Sequence, residues 1–268
     1  MNAGCFFTAD WDAPPSVKTL ITTRQGGVSE GAFASLNLGL HVGDHPQHVL
    51  HNRALVQQAV PVPMAYLNQT HSTDVVRAAD SIAQAQNADA SWDDTGKAAC
   101  TVMTADCLPV LLADRQGRVI GAAHAGWRSL AGGILQATVQ KMHQKVPDAD
   151  IVAWLGPSIG PAVFEVGDEV RAAFIAAAQD MASHLQGRPP KQEDAQYTTR
   201  AESAFQPGRK PGKWLANLPE LARQHLHALG ITDIHTAGAC TFSDPARFWS
   251  YRRDQTCGRM AGLVWIKP

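Results

Sequence analysis

The sequence predicts a single domain, residues 1–268, of the α/β class, in which α+β layers surround a mixed sheet. Three observations carry that reading. Short apolar runs of strand length alternate with amphipathic stretches of helix length, two neighbouring runs are joined by a tight polar turn, and no linker divides the 268 residues. Composition agrees: 45% hydrophobic and 18% charged residues describe an ordinary globular chain with a sizeable core.

Val17 to Thr23 reads as a strand ending at a turn around Gln25-Gly26-Gly27. Pro46 to Val60 reads as a helix, with Val49, Leu50, Ala54 and Val56 on one side and Pro61 closing it. Ala98 to Met103, Pro109 to Ala113 and Val119 to Ala123 are short apolar runs, and Asp114-Arg115-Gln116-Gly117 turns the last two into a hairpin. Ser129 to Lys145 is helical by its stripe of Leu130, Ile134, Leu135, Thr138 and Met142, with Pro147 just past its end. Ile151 to Leu155 is a strand stopped by Gly156-Pro157, and Asp168 to Leu185 is an alanine-rich helix. Gly187 to Gly212, polar and interrupted by Pro and Gly, reads as a mobile loop. Asn217 caps a last helix that runs to Leu229, buries Leu218, Leu221, Ala222, Leu226 and Leu229, and ends at Gly230. Ile231 to Ala237 and Gly262 to Ile266 are the closing strands.

A net charge of -1 lacks the basic excess of a nucleic-acid binder, so no nucleic-acid partner is expected. The start, Met1 to Phe7, has neither a charged region nor a sustained apolar run, so no signal peptide is read there. No apolar stretch approaches the ~20 residues of a membrane helix. The expectation is a cytoplasmic protein, monomeric or weakly homo-oligomeric, with no membrane contact. Five cysteines without a C-x-x-C pair point to reduced thiols rather than a disulfide framework.

Three segments carry metal-type ligands: Gln69-Thr70-His71, Thr104-Ala105-Asp106-Cys107 and Ala123-His124-Ala125-Gly126-Trp127-Arg128. Two imidazoles and one thiolate suit zinc, and three protein ligands leave a fourth position for water or substrate, as in catalytic rather than structural sites. Each residue has a plainer reading. His124, between two alanines, suits a core histidine bonded to backbone, and Cys107 suits a small buried hydrophobe. His71 follows a polar run that has little reason to be core. Of the other histidines, His225 and His227 point to different faces of a helix, while His48 and His51 suit a solvated helix start.

A second constellation is cationic: Arg24 at the end of the first strand, Arg128 after His124, and Arg252, Arg253 and Arg259 near the C-terminus. Arginines in such loops can clamp phosphate or carboxylate, or simply pair with Asp106, Asp244 or Asp254. Leu155-Gly156-Pro157-Ser158-Ile159-Gly160-Pro161 has glycines but no G-K-[ST] ending. No G-x-G-x-x-G opens a helix and no G-x-S-x-G elbow occurs, so ATP, dinucleotides and that class of serine hydrolase are not indicated.

Taken in order, the motifs resemble the YfiH-like family, also called laccase-domain, polyphenol oxidase or purine nucleoside phosphorylase proteins. The resemblance runs from Thr23-Arg24-Gln25-Gly26-Gly27-Val28-Ser29 and Ser35-Leu36-Asn37-Leu38-Gly39-Leu40-His41-Val42-Gly43-Asp44 through the three ligand segments. It continues to Leu155-Gly156-Pro157, Phe164-Glu165-Val166 and Phe248-Trp249-Ser250-Tyr251-Arg252-Arg253-Asp254. It implies a layered α/β fold shared with a toxin-type cysteine hydrolase, and zinc held by His71, Cys107 and His124. It also implies phosphorolysis of adenosine, inosine and methylthioadenosine, and deamination of adenosine. Nucleoside and phosphate would then be the small-molecule partners, with Arg24, Asn37, Gln69, Arg128, Tyr251, Arg252 and Arg253 as substrate contacts. Cys107, His124 and Asp106 would be catalytic, Asp106 as the nearest acid/base. Departures are Cys257 where the family usually has Thr, Trp249 for a common Phe, and a longer segment from Gly187 to Gly212.

The oxidase label meets a physical objection. A four-copper laccase needs several H-x-H pairs and a cysteine flanked by histidine, and this chain has one H-x-H and no His next to a Cys. Cu²⁺ can still replace Zn²⁺ at such a site, making polyphenol oxidation a side activity. Two other readings stay open. One is an amide hydrolase of peptidoglycan precursor editing, with Cys107 as nucleophile and His124 as base. The other is a zinc-stabilised binding protein closed by Cys240 or Cys257.

Overall fold

The computed structural model describes residues 4–186 and 195–268. Two sheets stacked face to face form its centre. The first has five strands in the order Phe6–Phe7, Val17–Thr22, Met260–Ile266, Ala99–Thr104, Met64–Ala65. The second has six, in the order Ile234–Thr236, Ile151–Leu155, Leu108–Asp114, Ile120–Ala125, Ala90–Asp93, Val75–Arg77. Both mix parallel and antiparallel pairs.

Side-chain alternation along each strand produces the layers. On Ala99–Thr104, Cys100 and Val102 face the second sheet, while Ala99 and Met103 face the opposite layer. Leu111 and Ala113 meet Cys100 and Val102 between the sheets, and Leu108, Val110 and Leu112 face outward beneath the helices. The helix Ile134–Lys145 covers that outer face with Ile134, Leu135, Val139 and Met142, joined by Leu218, Leu221 and Leu226 of Leu218–Ala228. Strands covered on both faces are continuously buried, as 108–114 and 120–125 are.

The expected hairpin is present. Leu108–Asp114 and Ile120–Ala125 pair antiparallel, with His124 opposite Pro109. Asn217 caps the last helix, its Oδ1 accepting the Glu220 amide at 3.1 Å.

Three expectations are corrected. The helix expected over Ser129 to Lys145 is two, Trp127–Gly132 and Ile134–Lys145, because Gly133 takes φ 98° between them. The helix expected over Pro46 to Val60 is Pro46–Gln57, and it buries Val49, Asn52 and Val56 while Leu50 is 55% exposed. Asn52 faces inward because its amide donates to Ser29 Oγ, Ser35 O and Asn37 O, and its Oδ1 accepts the Val28 amide. Within the loop expected over Gly187 to Gly212, residues 187–194 lie outside the described residues. The remainder holds a helix, Ala195–Ser203, and a strand, Phe205–Pro207, in a small sheet with Lys213–Ala216 and Glu165–Gly167. No helix among the described residues is long and apolar enough to cross a membrane.

Candidate metal centre

The centre lies where the two sheets part. His124 shares the inter-sheet face of its strand with Ile120 and Ala122, one residue before the strand ends. Cys107 stands on the short crossing from Ala99–Thr104 in one sheet to Leu108–Asp114 in the other. His71 sits on a turn past Leu67–Asn68. The three ligand atoms all lie within 4.8 Å of one another, and Cys107 Sγ is 3.7 Å from His71 Nε2.

Backbone strain gathers at this point. His71 has φ 61° and Asp106 φ 91°, a region that costs a non-glycine residue about 1–3 kcal/mol. Gly126 is glycine for a steric reason: a Cβ there would stand 2.6 Å from His71 Cδ2 and 3.1 Å from Cys107 Sγ.

Asp89, which sequence reasoning missed, ties the histidines together. Its Oδ1 is 2.7 Å from His124 Nδ1, leaving Nε2 as the ligand atom. Its Oδ2 accepts the amides of Thr70 at 3.0 Å and Ser72 at 2.6 Å, on either side of His71. Burial raises the Asp89 carboxyl, but the bond to His124 and these amides outweigh it and bring it down to about 2. No local pattern marks it; Asp89 lies between two alanines.

Burial also pushes the Cys107 thiol up, yet the neighbouring His124 and His71 outweigh that and lower it to about 6. Burial lowers His124, and the Cys107 thiolate and Asp89 carboxylate outweigh it, raising it to about 9. The thiolate form a metal requires is therefore favoured before any metal binds.

A cavity of about 480 Å³ opens in front of the three ligands, lined by them and by His41, Gln69, Trp127, Arg128, Tyr251 and Arg259 among others. Of the expected substrate contacts, Gln69, Arg128 and Tyr251 reach it. Gln69 also clamps Met103, donating to its carbonyl and accepting its amide. Arg128 stacks on Trp127 at 4.3 Å.

The other expected contacts do not line the cavity and bond to protein groups. Arg24 donates to the carbonyls of Ala34 and Pro245. Arg253 donates to those of Thr241, Phe242 and Phe248 and to Asp254. Arg252 is off the cavity wall, with Nη1 on Glu165 O. Asn37 is fully buried and braces the wall from behind, its Oδ1 accepting the amides of Gly39 and Arg259. Both carboxylate oxygens of Asp106 are bonded within the protein. Its Oδ1 accepts Thr241 Oγ1 at 2.6 Å, and its Oδ2 accepts Ser250 Oγ at 2.9 Å and the Arg252 amide at 2.7 Å, so both oxygens are committed to tethering the Tyr251 segment. His41 was missed as a wall residue; Arg259 was read only as part of a cationic loop.

The donor set fits a metal. In a tetrahedral zinc site an S···N ligand edge is about 3.6 Å, and the Cys107–His71 separation is 3.7 Å. Neither Cys240 nor Cys257 joins the three ligands, and among the described residues no further His, Cys, Asp or Glu does.

Fold and site together define the class: a mixed α/β protein with a metal-competent His–Cys–His centre between two sheets. Residues 18–267 match the family described as multi-copper polyphenol oxidoreductase laccase, and the chain belongs to that family. A purine nucleoside phosphorylase of Pseudomonas aeruginosa is 47% identical over 267 residues, covering all of both chains. The Escherichia coli purine nucleoside phosphorylase YfiH is 42% identical, covering 96% of each. A crystal structure of a Neisseria meningitidis protein is 50% identical, with TM-score 0.87 over 98% of this chain and 100% of that one. The YfiH-like resemblance is borne out.

Proposed function

We propose that the protein is a zinc-dependent purine nucleoside phosphorylase acting on adenosine, inosine and methylthioadenosine, and that the same site deaminates adenosine. One observation carries the reading: a single cavity, within the size range of small-ligand sites, presents the N2S set, two aromatic side chains and two arginines together. The names of the Pseudomonas and Escherichia relatives support it.

In phosphorolysis a phosphate oxygen bonds to C1′ of the ribose as the C1′–N9 bond breaks. The bond pair leaves on the purine, which takes up a proton, and ribose 1-phosphate and free base result. Trp127 and Tyr251 offer faces on which a purine can stack. Arg128, without a carboxylate partner among the described residues, neutralises phosphate and holds it for attack. In deamination water adds at C6 and ammonia leaves. Zinc held there would supply Lewis acidity, lowering the pKa of water to about 7. His71, Cys107 and His124 would hold the metal, with Asp89 keeping the Nδ1 proton on His124.

One observation favours a second reading. Asp89, His124 and Cys107 stand in file as carboxylate, imidazole and thiol, the relay of a cysteine amide hydrolase. His71 weighs against it, since that relay needs no second imidazole beside the sulfur. Copper-dependent oxidation fits only as a side activity of a substituted site.

The test is chromatography of zinc-loaded protein incubated with adenosine, with and without phosphate. Phosphate-dependent adenine with ribose 1-phosphate establishes phosphorolysis, and phosphate-independent inosine establishes deamination. Neither product, together with inactivation by iodoacetamide that chelators do not reproduce, turns the assignment to the amide hydrolase.

A further inference from the structure

Two side chains on the cavity wall, Arg259 and His41, keep hydrogen-bond donors that have no acceptor among the described residues, and the sequence around them is built to keep them there. Arg259 commits Nη1 to the carbonyls of Cys257 at 3.0 Å and Gly258 at 3.1 Å, with Cys257 Sγ 3.6 Å away. That anchor fixes the guanidinium plane and leaves Nε and Nη2 with no hydrogen-bond acceptor among the described residues. His41 has neither ring nitrogen bonded among the described residues.

Asn37 locks the two loops together, its Oδ1 taking the amides of both Gly39 and Arg259 at 2.9 Å. Gly39 makes room for the arginine stem, since a Cβ there would stand 2.8 Å from Arg259 Cγ. Burial lowers the His41 pKa, and the positive charges of Arg259 and Arg53 lower it further, so this corner of the wall is electropositive around a neutral imidazole. Arg128 adds a third donor group. Among the described residues the wall carries no Asp or Glu to neutralise them.

Donors lining an open cavity without a counter-charge, one of them an anchored guanidinium, suit the binding of a compact oxyanion. We infer that Arg259 and His41, with Arg128, form the phosphate subsite of this cavity. The inference rests on the phosphorolysis reading and assigns its second substrate to side chains other than Arg24, Arg252 and Arg253, none of which lines the cavity. The subsite takes inorganic phosphate as the nucleophile, Arg259 offering a fork and His41 one N–H.

The test measures initial rates of the zinc-loaded enzyme with phosphate varied at saturating adenosine, and then the reverse, for the parent, Arg259→Lys and His41→Gln. Arg259→Lys keeps the charge and loses the fork; His41→Gln keeps a donor of different reach and stays informative if the first variant does not fold. The KM for phosphate should rise about tenfold to a hundredfold, the loss of a charge-assisted hydrogen bond, while the KM for adenosine stays within about twofold. An unchanged phosphate KM in both folded variants overturns the inference, as does an equal rise in both KM values. Calorimetric titration with inorganic phosphate separates the two readings. A parent that binds phosphate without phosphorolysis, with binding weakened in the variants, refutes the proposed activity and leaves the subsite standing. A parent that binds no phosphate overturns the subsite.

Discussion

Asp89 Oδ1 lies 2.7 Å from His124 Nδ1, and the same carboxylate holds the turn that carries His71 through the amides of Thr70 and Ser72. One buried side chain thus sets two of the three ligand directions from behind. The arrangement separates tasks: the imidazoles and thiolate face the cavity, and the group that orients them is shielded from it.

Asp89→Ala removes that support and leaves the His124 N–H and two amides without an acceptor. Zinc affinity should fall about tenfold to a hundredfold, the range for lost outer partners of metal-bound histidine. Competition with a chromophoric chelator reads the affinity, and circular dichroism checks the fold. Unchanged affinity in a folded variant contradicts the role given to Asp89.

Gly126→Ala tests the packing of the centre. Its φ of -64° admits alanine, so the variant meets no backbone penalty. The new methyl would instead stand 2.6 Å from His71 Cδ2 and 3.1 Å from Cys107 Sγ, forcing one of them away. We expect loss of stoichiometric zinc binding with a small change in unfolding midpoint. Full zinc occupancy in the variant would show that the ligands do not need this close approach.

The ionisation of the centre gives a signed prediction for metal binding. A metal needs the Cys107 thiolate and a neutral His124 nitrogen. With Cys107 lowered to about 6 and His124 raised to about 9, both groups are charged between those values. Binding there must expel the His124 proton, about one per zinc. Below pH 6 the thiol also has to give up its proton, and affinity should drop more steeply. Calorimetry in buffers of different ionisation enthalpy counts the protons. Zero release near pH 7.5 would refute the charged pair.

Much of this was legible before the fold was known, for reasons particular residues show. His71, Cys107 and His124 stand out because small neighbours surround them, and strand alternation then turns His124 toward the gap between the sheets. The hairpin was readable because its turn residues adjoin both strands. What could not be read is non-local. Asn52 faces inward because Ser29, Ser35 and Asn37 accept its amide, overriding the outline that Leu50 and Ala54 draw on the same helix. Arg24, Arg253 and Arg128 look alike in sequence. Only tertiary contacts decide which guanidinium is already occupied and which is left for a ligand. The break at Gly133 was hidden because the apolar stripe resumes after it in nearly the same phase.

His225 supplies a stability test away from the centre. It is 4% exposed on the inner face of Leu218–Ala228, packs edge to face on Phe174, and has Nδ1 3.1 Å from Gln136 Nε2, the geometry of a neutral ring accepting an amide proton. Burial lowers its pKa to about 4 from the ordinary 6.5. The unfolded chain therefore binds a proton that the native chain refuses between those values, and stability falls as pH drops through that window. Above pH 6.5 the site adds no pH dependence; by pH 4 about 3 kcal/mol has been lost, from roughly 1.4 kcal/mol per pH unit. Urea unfolding at pH 7, 6, 5 and 4 reads the slope for the parent and for His225→Gln, which cannot titrate. The variant should show a flatter profile over this range, and parallel profiles would mean that His225 carries none of the acid sensitivity. Because the centre's own ionisations fall near pH 6 and 9, the comparison is best made on metal-free protein, where loss of zinc cannot add to the slope.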